Sequence, residues 1–191
     1  MSEVAGTRPE VAQGQETGVR PLLRHGVVVV VVFLAAGALA GVLWERLWDA
    51  PAGVTYEGSW YLEPAGPDVA FQGVALFVLI AFPLGLVLAV LAGIRRGHEL
   101  ATVLLVLVAA ALAGIVMYAV GTSLGPADPQ ALAAGKPDYT PLSGDLALNA
   151  PDEGLAPYRS TALVALPAGA MTGLVATYLF ASRGLARRPR G

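Results

Sequence analysis

Residues 73–94 read GVALFVLIAFPLGLVLAVLAGI, with no Asp, Glu, Lys or Arg among them. At 1.5 Å rise per residue, a helix of this length crosses a hydrocarbon layer of about 30 Å. A backbone amide in lipid has no water to pair with, so a crossing segment must close its hydrogen bonds within itself. Three further runs repeat the pattern, at 26–44, 100–120 and 161–181. The chain has 12 Lys and Arg and 14 Asp and Glu, and all of them fall outside the four runs. The expected fold is therefore an all-α membrane protein: a four-helix transmembrane bundle with a small extracellular cap of loops and a β-hairpin.

The totals agree with one membrane domain. The chain has 191 residues, is 55% hydrophobic and has a mean hydropathy of +0.64. Residues 25–182 hold the spans, between a polar tail at 1–24, expected to be disordered, and a basic tail at 183–191. With no cysteine, disulfides, thiol redox chemistry, Cys-ligated zinc and lipid attachment at Cys are excluded.

Charge sets the threading. Arg20 and Arg24 precede the first run, Arg95 and Arg96 occupy the short turn after the second, and Arg183, Arg187, Arg188 and Arg190 follow the fourth. On the other side, loop 45–72 carries Glu45, Asp49, Glu57, Glu63 and Asp68 against Arg46. Loop 121–160 carries Asp128, Asp138, Asp145, Asp152 and Glu153 against Lys136 and Arg159. Short cytoplasmic segments retain Lys and Arg, so both termini are expected in the cytoplasm, and the expected location is the plasma membrane. The first run has a competing reading as a cleaved signal peptide, with Ala38-Leu39-Ala40 at the cut. Its long leader and its continuation through Trp44 favour a span.

Small residues recur four apart in every run: Gly37 and Gly41; Gly85, Ala89 and Gly93; Ala110 and Gly114; Gly169 and Gly173. Such pairs lie on one helix face and let another backbone approach. Packing within one bundle is preferred over a homo-oligomer interface. Pro83 and Pro167 each lack an amide donor and are expected to bend their helices. Trp44, Trp48, Tyr118 and Tyr178 lie near the run ends and fit an interfacial aromatic belt.

In the first loop, residues 52–62 place β-branched and aromatic residues on both sides of Glu57-Gly58-Ser59, as in a hairpin. In the second, residues 126–133 suggest a turn into a short helix, and alternation over 142–148 suggests a strand. Chemistry is sparse. His25 and His98 sit beside arginines with no nearby cluster of carboxylates, so no metal site is expected. The external acids Glu57, Glu63, Asp138, Asp145, Asp152 and Glu153 lack calcium-loop spacing and read as solvated surface. No nucleophile elbow, phosphate loop or nucleic-acid motif occurs, and no cofactor is expected.

Four segments carry a resemblance: Gly41-Val42-Leu43-Trp44 running on to Pro51, Phe71-Gln72-Gly73, residues 121–126, and Ala165-Leu166-Pro167-Ala168. On these the chain resembles small actinobacterial four-span membrane proteins of unknown function. The resemblance implies four helices with an external loop domain and assigns no catalytic or binding residue. The leading expectation is a non-enzymatic structural or accessory protein. Its partners would be the lipid bilayer and another membrane or envelope protein met through the external loops, with no nucleic acid. The alternative is passage of a small neutral or lipidic solute, with Thr102, Thr172 and Tyr178 lining a wet cavity. An envelope enzyme built from converging external acids ranks third.

Overall fold

The computed structural model describes residues 19–63, 67–94, 99–148 and 160–185, with side chains over 24–63, 71–94, 100–148 and 160–180. Residues 1–18, the turn at 95–98 with His98, Asp152, Glu153 and Arg159, and Arg187, Arg188 and Arg190 lie outside these residues, whereas 19–24, expected to be disordered, are helical and continue into the first apolar run.

The chain is mostly helical. Helix α1 (Val19–Leu47) leads into a hairpin of β1 (Ala52–Tyr56) and β2 (Ser59–Leu62). Helices α2 (Pro67–Gly93) and α3 (Glu99–Leu124) follow. The short α4 (Pro129–Ala133) and strand β3 (Pro141–Ser143) come next, and α5 (Ala165–Leu185) closes the fold. Helices α1, α2, α3 and α5 are long and apolar enough to cross a membrane.

Helix α5 starts later than the apolar run does. Thr161–Val164 form a 3₁₀ turn instead, opened by Ser160, whose hydroxyl accepts the Ala162 N–H and donates to the Leu148 carbonyl at 3.1 Å. Pro167 supplies the reason. In a continuous α-helix its N–H would serve the Leu163 carbonyl, and its ring would press on that same group. Tighter winding ahead of it relieves both problems. Pro83 stands in the middle of α2, with helix on both sides.

The helices associate as two close pairs, α1 with α3 and α2 with α5, and the pairs meet mainly along α3 and α5. Within each pair the contacts advance together along both chains: Gly37 meets Ala113 and Gly41 meets Met117, while Phe82 meets Gly169 and Leu86 meets Gly173. Both pairs are thus parallel, so partners are alternate helices rather than neighbours in sequence. The interior between them is filled by Phe33, Phe77, Val106, Met117, Leu166 and Leu174, each at most 2% exposed.

The three strands form one antiparallel sheet in the order β2-β1-β3. Tyr56 pairs with Ser59, so Glu57 and Gly58 alone make the turn. Both have positive φ (49° and 76°), the two-residue turn whose twist suits a hairpin. The expected strand over 142–148 is shorter. Its pairing ends at Gly144, whose N–H reaches the Pro51 carbonyl at 2.7 Å. Beyond that point Leu146 and Leu148 turn down into the helical core and tie the sheet to the bundle. The interfacial belt is corrected at Trp44. It is fully buried, donates its indole N–H to the Gly73 carbonyl at 2.9 Å and meets Phe77 edge-on at 5.0 Å. Its ring fills the space that a side chain at Gly121 would need.

Candidate functional site

Alternation divides the sheet into two faces. Gly53, Thr55, Trp60 and Leu62 share one face, and Val54, Tyr56, Ser59 and Tyr61 share the other. The first face is closed. Trp60, 5% exposed, lies over Gly53 and donates its indole N–H to the Leu142 carbonyl at 3.2 Å. Gln130 of α4 then seals the β2 edge, accepting the Trp60 N–H at 3.1 Å and donating to the Trp60 carbonyl at 2.9 Å. Asp128 fixes α4 by accepting the Gln130 N–H at 2.9 Å. An open strand edge would otherwise invite pairing with another chain.

Thr55 joins the two loops. It is the one buried polar residue among the described residues. Its hydroxyl donates to the Pro137 carbonyl at 2.6 Å and accepts the Thr140 N–H at 3.0 Å. Its carbonyl accepts the Tyr139 N–H at 2.7 Å, and its own N–H reaches the Thr140 carbonyl at 3.0 Å. These bonds hold residues 137–140 beside the hairpin. They also hold Tyr139 at φ 62°, a left-handed conformation that a tyrosine adopts at a cost.

The outcome is an exposed aromatic face. Tyr56, Tyr61 and Tyr139 are 43%, 54% and 72% exposed, and the rings of Tyr56 and Tyr139 stand 6.0 Å apart. Acid borders them. Asp138 accepts the Glu57 N–H at 2.9 Å, which places two carboxylates beside the tyrosine pair. A tyrosine ring offers broad apolar area and a hydroxyl with little rotamer freedom to lose, and such residues are enriched at binding surfaces.

The other candidate residues lie elsewhere. A Cβ on Gly37 or Gly41 would strike the Ala113 or Met117 carbonyl of α3. One on Gly85 would strike Leu166, and on Gly169 or Gly173 the Phe82 or Leu86 carbonyl. Gly93 lies against the Leu174 side chain, and a Cβ on Gly114 would sit 3.4 Å from the Leu163 carbonyl. Thr172 is exposed and donates to the Ala168 carbonyl in its own helix, whereas Thr102 lines a groove with His25. Tyr178 is half-buried against the core. Among the described residues no three His, Asp or Glu side chains converge. Asp145 is half-buried beneath the sheet, and loss of water pushes its carboxyl above the usual range; its own backbone N–H opposes this and Asp128 adds to it. Glu63 lies exposed at the end of the hairpin.

Sequence reasoning passed over the tyrosine face. Tyr56 and Tyr61 share a face once the two-residue turn sets the hairpin register, but Tyr139 joins them only through bonds 80 or more residues apart in sequence. Comparison with known protein families, with curated proteins and with solved structures gives no match to this chain.

Proposed function

We propose that this chain is a multi-pass plasma-membrane protein with both termini in the cytoplasm, and that its cap docks another membrane or envelope protein through Tyr56, Tyr61 and Tyr139. It acts as a structural or accessory protein and not as an enzyme. The observation that carries the reading is Tyr139: a strained backbone is maintained where it delivers an exposed ring beside Tyr56. Strain of this kind persists where surrounding bonds over-determine it. The bordering carboxylates of Glu57 and Asp138 favour a partner surface that offers cations or hydrogen-bond donors.

Apolar surface supports the membrane placement. Val27, Val31, Leu39, Leu79, Leu91, Leu104, Leu179 and Phe180 are all more than half exposed along the four long helices. Surface of this extent is stable against acyl chains and a liability in water. Arginine at one set of helix ends and acid in the opposite loops support the orientation. The glycine faces are occupied within the chain, which supports a single bundle over a homo-oligomer. The filled interior supports docking over passage of a small neutral or lipidic solute. The short segments around Trp44, Gly73, Gly121 and Pro167 support a kinship with small actinobacterial four-span membrane proteins.

The test is site-specific photo-crosslinking from position 61 in native membranes. Truncating a central aromatic anchor commonly costs about 2 kcal/mol of binding or more. The Tyr56→Ala/Tyr139→Ala double variant should therefore lose a discrete adduct that an exposed Leu79→Ala variant keeps. Identical adducts in all three proteins would refute docking through this face. A C-terminal tag cleaved by protease added outside intact cells would refute the threading.

A further inference from the structure

Two grooves open on α1 at the end away from the sheet. The larger, about 480 Å³, lies between α1 and α3, with Val27, Val30 and Val31 facing Ala101, Thr102 and Leu105. The smaller, about 210 Å³, lies between α1 and α2, with Val28, Val29 and Val32 facing Leu88 and Leu91. At 100° per residue the two valine sets occupy opposite flanks of α1. His25 lines both grooves.

The glycine contacts explain why space opens here. Gly37 and Gly41 bring α1 against the backbone of α3. A Cβ on Gly26, about three turns earlier, would meet only the Leu105 side chain, at 3.7 Å. The helices are drawn together toward the sheet and part toward His25. Arg24, exposed, stands one residue before His25, and Arg20 lies four residues earlier in the same helix, so their positions share a face.

We propose that this end of α1 holds one anionic diacyl glycerophospholipid astride the helix. One acyl chain lies in each groove, and the phosphate sits at Arg24 and His25. The walls are apolar along both flanks, which suits two hydrocarbon tails. His25 lines both grooves and the exposed Arg24 directly precedes it, which suits a single charged headgroup. The Thr102 hydroxyl lines the larger groove near the level of the ester oxygens. The inference rests on the membrane placement proposed above and is independent of the tyrosine face.

The full chain, extracted in mild detergent and equilibrated with equal phosphatidylglycerol and phosphatidylcholine, would be examined by native mass spectrometry. One cation near a headgroup favours the anionic lipid about fivefold, so retained phosphatidylglycerol should exceed phosphatidylcholine by about that factor. Arg24→Gln should bring the ratio near parity. Ala101→Phe and Val28→Phe, each filling one groove from an exposed position, should lower total retention of both lipids. Near-UV circular dichroism of buried Trp44 would verify that each variant is folded. Parity in the unaltered chain, or a ratio and total unchanged in all three variants, overturns the inference. If such a result comes from protein that needs detergent for extraction, the membrane reading stands and only the lipid site falls. Recovery of the chain from cells without detergent overturns both.

Discussion

The helical bundle and the sheet that caps it are joined by different chemistry. In the bundle, close contacts are made where a side chain is missing: Gly37, Gly41, Gly85, Gly169 and Gly173 each lie against a carbonyl of the facing helix. In the cap, contacts are made by polar side chains that reach backbone far away in sequence, as Thr55 does to Pro137 and Thr140 and Gln130 does to Trp60. The reason is how each region satisfies its amides. Helical amides are paired along their own strand of chain, so helices associate by shape. Three short strands leave edges and loops whose amides need partners, and side chains supply them. Damage to shape should therefore loosen helix pairs, whereas damage to polar partners should open the cap alone.

Trp44 would break this division, because it serves both regions: its ring packs in the helical core and the Leu146 plug lies in the same cluster. Trp44→Ala removes a fully buried ring together with its hydrogen bond to the Gly73 carbonyl, and should cost about 3–5 kcal/mol. Thermal unfolding in detergent should show sheet and helices melting together at lower temperature. Gly169→Val comes next. It forces apart α2 and α5 and should cost about 3 kcal/mol, with hydrogen exchange accelerated in both helices and unchanged in the sheet. Exchange confined to the sheet would contradict the shape account.

Thr55→Val sharpens the other side. It leaves the Thr140 N–H without its acceptor and the Pro137 carbonyl with the Thr140 hydroxyl alone, at a cost of about 1–3 kcal/mol. Amides of β1, β3 and residues 139–140 should exchange faster while α1, α2, α3 and α5 keep their protection. Gly58→Ala should be milder, about 1 kcal/mol, because φ is 76° there but nothing lies near the added methyl. Proteolysis at the hairpin tip would detect it.

Asp145 is expected to have the smallest effect, and it depends on pH. Burial raises its carboxyl above the ordinary 3.8, with its own N–H opposing and Asp128 adding. The folded chain therefore binds this proton more readily than the unfolded chain does. Its contribution favours folding below 3.8 and is lost as pH rises through the raised value. Asp145→Asn should raise cap stability at neutral pH and give little change in acid, as read by melting at the two conditions. A gain in acid alone would reverse the sign argued here.

Much of the helical layer was legible in the residues. An uncharged run such as 73–94 leaves few alternatives to a long apolar helix, and the two-residue turn at Glu57-Gly58 announces a hairpin. Less visible was how far helices overrun their apolar stretches, as α1 does by starting at Val19, and that Pro167 would be preceded by a 3₁₀ turn. Local winding depends on which carbonyls the next element can satisfy. Trp44 looked interfacial because position in a run says nothing about the face a ring points to. Gly121 and Gly53 carried no packing signal in the sequence, since each matters for packing through the tryptophan that lies over it.

By itself, the sequence determined the number of long apolar helices, the separation of arginine from acid and the existence of a hairpin. Each follows from spacing or from charge, which act over a few residues. Tertiary structure alone decided that alternate helices pair, that Leu146 and Leu148 plug the bundle, and that Tyr139 stands beside Tyr56. Those outcomes depend on which distant backbones approach closely enough to touch, and close packing selects one arrangement from many that share the same hydrophobic pattern.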